Sequence, residues 1–179
     1  MLNYFIEVGR ILAAIQELFP IEKIRGERRS LNSTLEERLN PRLKGIIIPN
    51  LRPIEVALSE TRTGYNKDAH PWNFGVRYDR RIVVFDTENS RPIEMVYDWA
   101  NLLEHTNLLS REERRRVRET IFQTHKEFGA NLDQDKYNLA YYNAICARAL
   151  ELVGILLERG ETEHARAMIG NALYALTMI

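Results

Sequence analysis

Asp68, Asn73 and Asp86 stand within one short stretch, in an order that suits phosphoryl transfer. That chemistry needs a carboxylate to take the proton of an attacking hydroxyl and hard oxygen ligands to hold a divalent cation against the phosphates. The stretch from Gly64 to Glu88 predicts how the three meet. A polar loop holding Asp68, His70 and Asn73 leads into a strand over 74–78, a tight turn at Asp79-Arg80 and a second strand over 82–85 that delivers Asp86. Two apolar runs around a polar turn mark a hairpin, and hairpin pairing carries Asp86 back beside the loop. The unbroken run Ile82-Val83-Val84-Phe85 reads as a strand buried on both faces. An ionised acid at the end of such a strand calls for a cation, because burial without a partner is unfavourable.

The form Asp68-Ala69-His70-Pro71-Trp72-Asn73, followed by Asp86-Thr87-Glu88, resembles the catalytic and metal-binding segments of the aminoglycoside phosphotransferase and choline kinase-like branch of the protein kinase-like fold. The resemblance implies that Asp68 is the catalytic base, that Asn73 and Asp86 hold magnesium, and that ATP is the phosphoryl donor. It gives His70 and Glu88 supporting places around them. It also casts Asp98, in Asp98-Trp99-Ala100, as an acid that holds the catalytic loop from a following helix. Asn66 departs from the pattern, since the family often carries His two positions before the catalytic Asp. Members of this branch phosphorylate small molecules more often than proteins, so the implied acceptor is a small hydroxyl or amine compound. Read without the resemblance, the same residues fit an ordinary hairpin in which Asp68 and Asn73 make loop hydrogen bonds and Asp86 caps the next element. Asp98 then reads as a surface acid on an amphipathic helix.

The bulk properties narrow the classes. A chain of 179 residues is long enough for one domain, or one lobe of a larger fold, with a real core. Its 25 basic and 25 acidic residues give no net drive toward nucleic acid or an anionic membrane surface. A single cysteine, Cys146, excludes an internal disulfide and reads as a packed helical thiol. With neither a secretory signal nor a long apolar span recognised, a cytoplasmic protein is expected.

The elements that position the loop are mostly helical. Phe5, Val8, Leu12, Ile15 and Phe19 mark one stripe of a helix over 2–19, followed by a polar connection over 21–32 that carries Arg25, Arg28 and Arg29. Ser33 and Glu36 form a capping box, while the prolines at 49 and 53 suggest extended or irregular chain over 46–60. A helix is expected over 93–105. Ser110 and Glu113 open another, with Val117, Ile121, Thr124 and Phe128 inward and its arginines on a solvated, partly ion-paired face. Helices over 133–159 and 162–178 then pair antiparallel. The first points Leu139, Tyr142, Ile145, Val153 and Leu157 inward; the second, Ala165, Met168, Ile169, Leu173 and Leu176.

The expected fold is α+β and mostly helical: helices around a small β-hairpin, resembling a kinase-like C-terminal lobe over 1–179 with no N-terminal nucleotide lobe. A glycine-rich hairpin over the phosphates, a strand Lys and a helix Glu are not found upstream of Asp68, and no Walker-type motif occurs. Three functions follow. The chain is a phosphotransferase lobe completed by a separate nucleotide lobe or other partner, a degenerate kinase-like binding or scaffold module, or an unrelated helical protein.

Overall fold

The computed structural model describes residues 1–18, 52–59, 61, 63–64, 68–86, 93–104 and 108–179. The connection with Arg25, the capping box at Ser33, Asn66 and the supporting candidate Glu88 lie outside these residues. Six α-helices are described: α1 Leu2–Leu18, α2 Arg52–Ser59, α3 Met95–Glu104, α4 Arg111–Glu127, α5 Gln134–Glu158 and α6 Thr162–Leu176. Four short strands accompany them. β1 (Thr63–Gly64) pairs antiparallel with β4 (Ile93–Glu94), and β2 (Phe74–Val76) pairs with β3 (Ile82–Val84) in the register Phe74 to Val84 and Val76 to Ile82.

Helix α3 is the centre: all ten of its residues are buried. α1 packs across α4, α5 packs against α2 and α3, and α6 lies along α5. The α1–α4 approach is close because Gly9 has no side chain, and a Cβ placed there would come 2.9 Å from Cγ1 of Ile121. Trp99 of α3 donates its indole N–H to Gln16 of α1 at 3.1 Å, which gives the large buried ring a partner for its one polar atom.

Several expectations are corrected. Residues 52–59 form a helix, with Pro53 inside its first turn. There the missing N–H is one that helices leave unpaired, so the proline opens the helix instead of preventing it. Phe128, just past the end of α4, is exposed, as are Leu139 and Leu157 of α5 and Ile169, Leu173 and Leu176 of α6, because the buried face of each helix is narrower than its apolar stripe. α5 is also long and apolar enough to cross a membrane by length and composition, yet 67% of its apolar window is buried inside the fold. The capping box at the start of α4 forms in both directions, with Ser110 N–H donating to Glu113 at 2.8 Å and Glu113 N–H donating to Ser110 Oγ at 3.3 Å. Cys146 is buried, and burial raises its thiol pKa.

The arginine face of α4 is not wholly solvated. Arg115 pairs with Glu112 and Glu119 at the surface, but Arg114 turns inward to Glu104, the last residue of α3. Tyr141 donates its hydroxyl to the other Glu104 oxygen at 2.6 Å, and Arg114 also donates to the Leu109 carbonyl at 3.1 Å and to Asn171 at 3.1 Å. One buried carboxylate therefore ties α3 to α4 and α5, and its guanidinium partner reaches α6. Removing one member of a buried pair leaves the other charge uncompensated, which costs about 3–5 kcal/mol. Arg114→Ala is expected to lower urea-unfolding stability by about that amount, whereas Arg115→Ala leaves the midpoint nearly unchanged. Equal midpoints for the two variants would show that Glu104 does not depend on Arg114.

Candidate functional site

The loop before the hairpin is held by its own backbone. His70 N–H donates to the Asp68 carbonyl at 2.8 Å and Asn73 N–H to the His70 carbonyl at 3.0 Å, and Pro71–Asn73 make one turn of 3-10 helix. From α1, Tyr4 donates its hydroxyl to the Phe74 carbonyl at 2.8 Å, fixing the point where the loop becomes a strand. The turn between β2 and β3 is closed by Arg77 N–H to the Arg81 carbonyl at 2.8 Å. It requires a positive φ, 65°, at Arg80, as three-residue hairpin loops commonly do.

Asn73 joins the two ends of this arrangement. Its side-chain amide donates to the Asp68 carbonyl at 2.8 Å, and its own carbonyl accepts from Phe85 N–H at 2.7 Å. Asp68, Asn73 and the residue before Asp86 are thus linked in one hydrogen-bonded chain. Because Nδ2 is engaged, Oδ1 of Asn73 remains an acceptor that no donor among the described residues reaches. Asp86 is exposed and takes a φ of 54°, a left-handed conformation that costs a non-glycine residue about 1–2 kcal/mol. The strand leading to it is only half-buried and Phe85 is exposed, so Asp86 does not end a strand buried on both faces. The reason is geometric. Among the described residues β2 and β3 form a two-stranded ribbon with no flanking strand, and the Phe85 ring lies over Gly75, where a Cβ would come 2.6 Å from Cε2.

Asp68 faces a guanidinium and an imidazole. Nη2 of Arg148, from α5, lies 3.7 Å from its Oδ1, and Nε2 of His70 lies 3.9 Å from its Oδ2. Arg148 is itself buried and pairs with Glu151 at 3.1 Å. Tyr97 sits beside that pair; its phenol pKa is pushed well up by burial and then by the charge of Glu151. Burial lowers the His70 pKa and Arg148 lowers it further, while the charges of Asp68 and Asp86 oppose the shift. His70 therefore feels both carboxylates, and its ring stands 5.8 Å from that of Trp72. Sequence reasoning missed Arg148, Glu151 and Tyr97. The available signal was a charged pair three residues apart inside the otherwise apolar middle of α5.

Asp98 is fully buried beneath the loop, not at the surface of its helix. Neither carboxylate oxygen has a hydrogen bond of normal geometry among the described residues. The Ala69 amide and Gln16 stand near enough to favour its charged form, but burial outweighs them and raises the pKa well above the usual carboxylate range. Asp98 thus lies directly under the Asp68-Ala69-His70 backbone.

No group of three or more His, Cys, Asp or Glu side chains among the described residues gathers to hold a metal. Asn73 and Asp86 offer one carbonyl and one carboxylate oxygen, a donor set that fits magnesium, which retains waters and takes few protein ligands. The hairpin beside them exposes apolar side chains: Trp72 is 62% exposed, Val76 58%, Tyr78 93% and Phe85 53%.

The raised pKa of Asp98 has a stability consequence. Above the pKa of the unfolded chain, the folded protein holds a proton that the unfolded chain has lost, so stability is greatest below that pKa and falls as pH rises toward the folded value. Asp98→Asn should flatten the decline in denaturation midpoint above about pH 4. An unchanged slope in the variant would mean that Asp98 ionises normally in the fold.

Comparison with protein-family models and with curated proteins gave no match. Among solved structures, the chain is similar to choline kinase LicA from Streptococcus pneumoniae, with a TM-score of 0.65 and 16% sequence identity. The likeness covers 99% of this chain and 64% of the choline kinase, so the chain spans slightly less than two thirds of that protein's length. At this identity the likeness establishes the fold: a mostly helical, kinase-like C-terminal lobe carrying a small antiparallel hairpin.

Proposed function

We propose that the chain is the catalytic lobe of an ATP- and magnesium-dependent phosphotransferase of the aminoglycoside phosphotransferase and choline kinase-like branch, acting on a small hydroxyl or amine compound. The observation that carries this reading is the Asp68–Asn73–Phe85 hydrogen-bond chain, which keeps a carboxylate, a free amide oxygen and the Asp86 backbone in one unit. In this reading Asp68 accepts the proton of the acceptor. Arg148 and His70 orient its carboxylate, and Asp98 supports the loop backbone from below. Asn73 Oδ1 and Asp86 would hold magnesium, which supplies neutralisation of phosphate charge when bound.

A nucleotide-contacting lobe on another polypeptide, or elsewhere in a longer chain, completes the site. Its docking surface is the exposed hairpin set of Trp72, Val76, Tyr78 and Phe85. Catalysis of this kind is mostly positioning and charge stabilisation, and contacts from the far side of the phosphates are worth about 10³- to 10⁵-fold.

Two measurements test the proposal. Calorimetric titration of manganese in the presence of ATP should give binding that Asp86→Ala abolishes and Asp68→Ala preserves; equal heats for wild type and Asp86→Ala would remove the metal site. An ATP-consumption assay with a panel of small hydroxylated and amine acceptors should show the isolated chain several orders of magnitude below ordinary kinase turnover. Ordinary turnover that disappears in Asp68→Ala would mean that the 179 residues already contain the nucleotide-binding parts.

A further inference from the structure

The far end of α3, with α4, α5 and α6, lines a half-open cavity of about 190 Å³. Its wall is made of arginines and tyrosines, and the arginines fall into two groups. Arg114 is neutralised by Glu104, and Arg115 by Glu112 and Glu119. Arg111 and Arg118 have no carboxylate partner among the described residues. The Arg111 guanidinium lies over the Tyr174 ring at 3.9 Å from its centroid, and that of Arg118 over Tyr141 at 4.6 Å and Tyr142 at 5.3 Å.

A guanidinium held over an aromatic ring by its charge still has N–H donors to give. Arg111 and Arg118, with no carboxylate partner among the described residues, are therefore placed with donors available to an oxyanion. Of the four lining arginines, Arg114 and Arg115 are matched by carboxylates, Arg115 by both Glu112 and Glu119, which leaves Arg111 and Arg118 as the unmatched guanidinium groups and a small net positive charge. The volume is below the 300–1,000 Å³ or so of sites for drug-sized ligands, which favours a small anion over a nucleotide.

The cavity is separate from the loop and hairpin. None of Asp68, His70, Asn73 or Asp86 lines it, and Tyr141 precedes Arg148 by seven residues on α5, a rise of about 10 Å. We propose that this cavity binds a small dianion of the phosphate-monoester class. Arg111 and Arg118 hold the phosphate oxygens, and Tyr142 and Tyr174 flank the organic part.

Calorimetric titration with phenyl phosphate, inorganic phosphate and succinate tests the site. Phenyl phosphate should bind saturably, with affinity about tenfold or more lower in Arg118→Gln. Binding should be lost in the Arg111→Gln/Arg118→Gln double variant and kept in Asp68→Ala, which separates this site from the proposed catalytic one. In the unsubstituted protein, NMR ring signals of Tyr142 and Tyr174 should shift during the titration, a readout that does not depend on the variants folding. The proposal is overturned by an absence of saturable binding at millimolar phenyl phosphate, by equal affinity in a folded double variant, by tighter binding of succinate than of phenyl phosphate, or by shifts confined to residues around Asp68.

Discussion

A helix with no exposed residue has to satisfy its charges internally, and α3 carries a carboxylate near each end. Asp98 lies in its first turn and Glu104 closes its last. The two are surrounded differently. Glu104 is matched by a guanidinium and a phenol from neighbouring helices, while burial pushes Asp98 toward its neutral form. Stability at one end of the helix thus depends on complementary charge, and at the other on retaining a proton beneath the loop. Much of the packing follows, since α1, α4, α5 and the loop supply the groups that surround these acids.

The loop side of α3 carries the chemistry-bearing residues, and they are mounted differently from one another. Asp68 and Asn73 rest on buried supports reaching back to α1, α3 and α5. Asp86 follows a ribbon that is two-stranded among the described residues, and is exposed and in a left-handed conformation. Asn73 is fixed by hydrogen bonds on both its side chain and its backbone, whereas Asp86 holds a sparsely populated backbone conformation that its surroundings must impose.

Periodicity made the helices legible. α1, α4, α5 and α6 each carry an apolar repeat over four turns or more, and the resemblance around Asp68 pointed to the kinase-like lobe that the structure has. What was not legible is instructive. Pro53 suggested a break because a proline is read as a helix stop unless its place in the first turn is known. Ile82 to Phe85 looked fully buried because an apolar run carries no information about whether other strands flank it. Arg148 and Glu151 look like any surface pair at a spacing of three; only the long-range packing of α5 beside the loop turns them into a buried brace for Asp68. The same applies to Arg114, which is indistinguishable in sequence from the solvated Arg115 beside it. Glu88 lies outside the described residues.

The packing of α1 on α4 bears on the order in which the chain assembles. α5 and α6 are neighbours in sequence and can close as a local pair, whereas α1 must wait for a partner helix that begins at Arg111. Contacts of such sequence separation form late, because the intervening chain must first be brought to order. On a ribosome the consequence is sharper: α1 emerges before α4, and the helix that packs against Gly9 is synthesised about a hundred residues later. The nascent chain therefore carries the apolar stripe of α1 without its α4 partner while those hundred residues are made.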